Sequence, residues 1–206
     1  MNVDWQRIAE RARAIIVQPA STWRVIAGET ETTNSLYRNY IAVIAAIPPV
    51  FSFIKGSILG FGSMFGVSIR IGIAAGLGSM LVTYLLSLLA IYLFALIIEA
   101  VAPSFGGQRD RIQALKTVAY AFTASSVAGA AVIIPGIGSL VYFAGVVYSF
   151  YLLYLGAQVT LTVPAEKAAG FTAVCIAAGI VLGILVARLA AIFTGSVMPL
   201  GGYAFW

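Results

Sequence analysis

Histidine is absent from this chain, a single cysteine stands at position 175, and charged residues make up only 9% of it. Each shortage closes a class of function. One cysteine inside an apolar run excludes an intramolecular disulfide, and without histidine no His/Cys metal cluster can form. The sequence also lacks a Gly-rich phosphate loop followed by lysine, a nucleophile beside a base, and a carboxylate pair within an apolar run. "GFGSMFG" places Ser63 between glycines but offers no partner base. No catalytic residue, metal or cofactor is therefore expected, and the chain reads as a non-enzyme. A soluble domain carries about 25% charged residues, and a chain with so few would not stay in water.

What the sequence has in abundance is apolar length. Hydrophobic residues make up 61% of its 206 positions, mean hydropathy is +1.01, and apolar runs extend from residue 39 to residue 194. The class is all-α: a polytopic membrane helix bundle with an N-terminal amphipathic interfacial segment. The first thirty residues hold no apolar signal-peptide core, so the first membrane helix is expected to be an uncleaved anchor. Three regions follow: a cytoplasmic or interfacial segment at 1–36, a five-span membrane domain at 37–194, and an extracytoplasmic tail at 195–206.

In "NVDWQRIAERARAIIV", Trp5, Ile8, Ala12, Ile15 and Ile16 recur at helical spacing, with arginines beside or opposite them. Such a helix is too charged to span and suits a membrane surface. Pro19 breaks it, and a short second helix carries Trp23 and Ile26 before Gly28. The spans fall at about 37–54, interrupted by Pro48-Pro49, then 69–101, 112–134, 139–162 and 168–194, each near the roughly 20 residues a bilayer needs. The segment 55–70 has glycines at 56, 60, 62 and 66. It reads equally as a surface helix, a re-entrant segment or an extracytoplasmic loop.

Charge sets the orientation. With the N-terminus inside, Arg7, Arg11, Arg13, Arg24, Arg38, Arg109, Arg111, Lys116 and Lys167 are cytoplasmic, against Lys55 and Arg70 outside. That asymmetry predicts a cytoplasmic N-terminus and an extracytoplasmic C-terminus. It also explains the net charge of +5 without a nucleic-acid partner, because the basic residues are not clustered with base-stacking aromatics.

Pro135 and Gly136 join the third and fourth spans so tightly that an antiparallel hairpin is expected. At equal distances from that turn, Tyr148 lies level with Ser125, and Tyr151 with the Phe122–Thr123 step. Tyr148, Tyr151, Tyr154 and Gln158 form one stripe about 120° wide, whereas Tyr142 lies opposite, near the outer end. A hydroxyl in hydrocarbon needs a partner, and Thr123, Ser125 and Ser126 stand at the right depth. The stripe reads first as a polar seam between helices; a polar path or ligand site and a lipid-headgroup contact are the alternatives. Gly72/Gly76, Gly179/Gly183 and Ala121/Ser125/Gly129 carry small-residue spacing, read as packing within the chain before dimerisation.

Two charged residues lie near or inside the spans and are functional-site candidates by default. Glu99 is expected to form an interfacial salt bridge with Lys116 or Arg38. Arg188, in the outer third of the last span, is expected to reach outer-leaflet phosphates or the carboxylate of Trp206.

The order of "QPASTWRVIAGE", "AAIPPV", "FGGQRDRIQALKTVAYAFTASSVAG", "IPGIGSLV" and "VYSFYLLYLGAQ…VPAEKAAG" resembles the Yip family of Ypt/Rab-interacting membrane proteins in its compact bacterial form. The resemblance covers roughly residues 11–190. It rests on Pro19, Trp23, Pro48, Gly106, Gly107, Tyr120, Pro135, Gly156, Pro164 and Lys167, together with the three stripe tyrosines. It implies a five-span integral membrane protein with a cytoplasmic N-terminus; eukaryotic relatives bind Rab-type GTPases and serve vesicle traffic or organelle structure. This chain departs from them in its short N-terminal region of about 36 residues. It also has Ala124 where many bacterial relatives carry proline.

Together these readings predict a membrane organiser or interaction scaffold of the bacterial inner membrane. Its partners would be membrane lipids with anionic headgroups, other proteins or further copies of itself. The competing reading is a small-solute or ion transporter whose tyrosine–glutamine stripe faces a cavity.

Overall fold

The computed structural model describes residues 4–60 and 70–194, and every regular element among them is helical. Two short helices, α1 (Trp5–Val17) and α2 (Pro19–Gly28), precede five helices long and apolar enough to cross a membrane. These spans run Thr33–Leu59, Ile73–Phe105, Arg111–Ile133, Gly138–Thr160 and Ala165–Phe193. Asp4 caps α1 by accepting a hydrogen bond from the Arg7 amide, and Pro19 occupies the start of α2, where its missing N–H costs nothing.

The first span does not stop at its two prolines. Ala42–Phe53 is continuous α-helix with Pro48 and Pro49 inside it, which corrects the expected interruption. Proline inside a membrane helix is tolerated where neighbouring helices and local changes of helix type accommodate it. Here π-helical segments, Tyr37–Ile41 and Ile54–Leu59, flank the α-helical stretch on both sides. Pro48 also has a dedicated seat: a Cβ on Gly129 would come within 3.1 Å of its ring. The expected segment 55–70 is thus helical through Leu59; residues 61–69 lie outside the described residues.

The third span, by contrast, is broken. Its α-helix runs from Arg111 to Ala121, leaves helical geometry at Phe122, resumes over Thr123–Ala128 and ends in a 3-10 segment, Gly129–Ile133. The break coincides with the Phe122 ring wedging edge-on against Phe94 and Phe150. It occurs two residues before Ala124, so no proline is needed to make it. After the Pro135–Gly136 turn, where Gly136 has φ +83°, the fourth span returns antiparallel. Gly145 then lies so close to Ala124, Ser125 and Ala128 that a side chain there has no room.

Burial is concentrated at one end. Leu36, Tyr40 and Ile41 of the first span, Phe94 and Ile98 of the second, and Leu115 and Tyr120 of the third are buried. Leu152 and Leu153 of the fourth and Phe171 and Cys175 of the fifth join them, all in the half nearest α1 and α2. Toward the opposite end the spans show apolar faces outward, for instance Leu77, Leu81 and Leu85 at every fourth position. A spacing of four keeps side chains on one helix face, and that face suits hydrocarbon.

Candidate functional site at the N-terminal end of the bundle

α1 and α2 are amphipathic, and protein covers their apolar sides. Ile8, Ala12, Ile15, Trp23 and Ile26 are all buried, the last two and Ile15 completely. Trp23 is the anchor. Its ring lies so close to Gly156 of the fourth span that a Cβ there would sit 2.7 Å from it, and it meets Tyr120 of the third span edge-on at 6.4 Å. Only glycine at 156 leaves room for the indole.

Lys116 locks the same contact. Its side chain is 1% exposed, and its ammonium donates to the carbonyls of Ile26 (2.9 Å) and Glu29 (2.5 Å). Those carbonyls sit at and just beyond the C-terminus of α2, where the last peptide oxygens lack helical partners and cations are favoured. Gln113 adds a bond from Nε2 to the carbonyl of Ala27 (3.0 Å). Lys116 is thus committed to α2 and does not pair with Glu99. Glu99 instead receives Arg109 (3.4 Å) and Arg111 (3.1 Å), which ties the loop after the second span to the start of the third. Both arginines face water along much of their length, so the pair works chiefly as a local brace.

Beside that brace four further motif residues, Gly106, Gly107, Pro164 and Lys167, come together. Gly106 has φ +78°, and the Pro164 ring and the Lys167 ammonium lie beside it. A Cβ on Gly107 would meet Val163 at 2.7 Å, and the neighbouring Gln108 amide donates to the Leu161 carbonyl (2.8 Å). The loop therefore lies against the chain between the fourth and fifth spans. Thr162 turns that chain with φ +52°, a left-handed conformation unusual for a β-branched residue.

The tyrosine stripe divides among different partners. Tyr148 donates to the carbonyl of Ile16 in α1 (2.7 Å) and not to the Thr123–Ser126 layer expected for it. Depth was read correctly there, but the residue facing that layer is Ser149, whose Oγ accepts from the Ser125 amide (3.0 Å). One residue turns a helix by about 100°, enough to swing Tyr148 onto α1. Thr123 bonds instead to Tyr40 (2.7 Å): its own hydroxyl donates to Ala119, so the Tyr40 hydroxyl is the donor. The Ser125 hydroxyl donates back to Phe122, and Ser126 is half-buried. Tyr151 packs its ring on Tyr148 and is half-exposed, Tyr154 is half-buried, and Gln158 donates to the Tyr154 carbonyl of its own helix.

Small residues act within the chain. Gly76 packs on Phe53 and Ser57, Gly179 on the Phe94 ring (3.3 Å), and Gly129 on Pro48. Arg188 is exposed on a face it shares with Ile184, Leu185 and Ile192; Trp206, its expected alternative partner, lies outside the described residues.

Comparison with known proteins assigns this arrangement. The model of the Yip1 domain matches residues 13–187, most of the chain. The chain belongs to the Yip1 family. Inner membrane protein YohC of Escherichia coli strain K12 is 25% identical over 172 residues, covering 82% of this chain and 88% of YohC; YohC of the O6:H1 strain matches equally. No solved structure matches. As a Yip1-domain protein with five apolar spans, this is an integral multi-pass membrane protein. The matched region begins inside α1, so the clasp formed by α1 and α2 falls largely within the Yip1 domain.

Sequence reasoning missed Tyr40, Gly145, Ser149 and Gln113 as contact residues. Gly145 and Ser149 had a signal in the hairpin itself, since small residues four apart on one partner mark the face that approaches the other. Tyr40 and Gln113 had none, because their partners lie 83 and 86 residues away in the chain.

Proposed function

We propose that this protein is a non-enzymatic organiser of a bacterial inner membrane. It works through the end of the bundle that gathers α1, α2 and the 102–116 loop. The nine-to-two distribution of basic residues supports placing that end, with the N-terminus, in the cytoplasm and the C-terminus outside. The similarity to an inner membrane protein of Escherichia coli supports the compartment.

The observation that carries the reading is the outward face of the clasp. With the inward residues committed to the bundle, Trp5 (66% exposed), Val17 (64%) and Val25 (55%) stand outside, with Arg13 and Arg24 exposed near them. Apolar and basic side chains in this mixture suit anionic headgroups or a partner protein's membrane-proximal surface. The engagement of Tyr148 with α1 and of Gln158 with its own helix supports a packed seam over a transport cavity.

Photo-crosslinking residues placed at positions 5, 17 and 25, at native expression in cells, test the proposal. Reproducible adducts to one protein, or to anionic lipid above its bulk fraction, are expected. Adducts to bulk lipid alone, in proportion to abundance, would remove it.

A further inference from the structure

Between α1, the chain that follows α2, and the first and third spans lies a cleft of about 230 Å³. Its walls carry Arg7, Arg11, Glu29 and Glu31, and Tyr40 and Tyr120 form its buried end. The two rings pack against each other at 4.4 Å. Tyr40 is placed there by the π-helical segment Tyr37–Ile41, a departure from α geometry that recurs at functional sites.

The charges in this cleft are only partly spent. Arg11 and Glu29 pair with each other. Glu31 is held by the Ser35 hydroxyl, and Asp4, which also lines the cleft, caps α1. Both are fixed in place, and neither has a cation within salt-bridge distance among the described residues. Arg7, likewise, has no carboxylate at that distance. An anion alone would leave the carboxylates facing it, and a cation alone would leave Arg7. A ligand carrying both signs answers both.

We infer that this cleft binds a phosphate ester bearing a primary amine. Arg7 takes the phosphate, and Glu31 and Asp4 accept from the ammonium near the end of the cleft that Tyr40 and Tyr120 close. A cleft of this volume has room for a group the size of phosphoethanolamine. Tyr40 lies within the first two turns of the span Thr33–Leu59, so the cleft opens at the end of the bundle where that span begins. The source is therefore a phosphatidylethanolamine headgroup of the adjoining leaflet, with a free phosphoamine as the same chemistry in water. Two carboxylates that accept hydrogen bonds select a primary amine over a quaternary one, which has no N–H to donate.

The test uses the full chain in detergent, titrated with dihexanoyl phosphatidylethanolamine, phosphatidylglycerol, phosphatidylcholine or soluble phosphoethanolamine. The readout is hydrogen-exchange protection over residues 29–36 and the start of α1. Phosphatidylethanolamine should saturate at a concentration at least tenfold below the other two lipids, and Arg7→Gln, a substitution at an exposed residue, should raise it at least tenfold. Glu31→Gln should abolish the preference over phosphatidylcholine. Saturation by soluble phosphoethanolamine at least tenfold weaker supports the lipid source, and equal saturation overturns that source. Equal response to all three lipids, or indifference to Arg7→Gln, overturns the site. The assay needs no partner and no second membrane component. Its failure leaves the crosslinking result untouched, and failed crosslinking leaves this cleft standing.

Discussion

Replacing Lys116 with methionine should release the clasp without disturbing the spans. Methionine keeps most of the buried stem and removes the ammonium, so the apolar packing around position 116 is retained. What is lost is two charge-assisted hydrogen bonds to the Ile26 and Glu29 carbonyls, each worth about 1.5–3 kcal/mol. Part of that is returned, because a buried ammonium carries a desolvation cost that methionine does not. The balance is about 2 kcal/mol, roughly a thirtyfold rise in the population with α1 and α2 detached. Limited trypsin digestion reads this directly. Arg13 and Arg24 are exposed but helical, so cleavage after them requires local opening, and its rate follows the open population when reclosing is fast. Cleavage after Arg24 should quicken by an order of magnitude or more, while the spans stay intact in the membrane fraction. An unchanged rate would refute the idea that Lys116 holds the clasp.

Three further outcomes follow from the same contacts. Gly156→Val drives a side chain into the Trp23 ring, so α2 should lift and Trp23 fluorescence should become accessible to a water-soluble quencher, at a cost of about 1–3 kcal/mol; unaltered quenching would argue against the contact. Thr162→Gly relieves a left-handed β-branched residue and should raise the unfolding free energy in mild denaturant by about 1 kcal/mol, whereas a loss of stability would mean that the Thr162 side chain matters more than its backbone. In a Cys175→Ser background, single cysteines at 148, 151, 154 and 158 should resist a charged thiol reagent applied from either side; labelling at mid-membrane depth would favour a water-filled cavity.

The spans were legible because hydropathy over 20 residues is a strong signal, and the hairpin because Pro135-Gly136 leaves few ways to turn. Of the small-residue pairs, Gly76, Gly179 and Gly129 meet neighbours within the chain, whereas Gly72 and Gly183 have nothing within 4 Å. Pro48-Pro49 misled, since a local rule about proline yields to neighbours such as Gly129 that fit its ring. Lys116 and Glu99 were rightly singled out as unusual, but proximity in depth could not show that one caps α2 while the other braces Arg109 and Arg111. The same limit applies to Tyr148. Its depth followed from counting residues to the turn, while its partner depended on α1 folding back across 132 residues of sequence. The pattern of α1 announces a face that needs covering; it does not say whether lipid or protein covers it.

That last distinction is the centre of the account, and hydrogen exchange of the unmodified chain in lipid nanodiscs measures it. If α1 and α2 form a clasp on the bundle, the amides of Ile15, Trp23 and Ile26 should exchange as slowly as those of Leu115 and Leu152, against which that end of the bundle is built. Exchange of the whole 5–28 region within seconds, while the third and fourth spans stay protected, would contradict it.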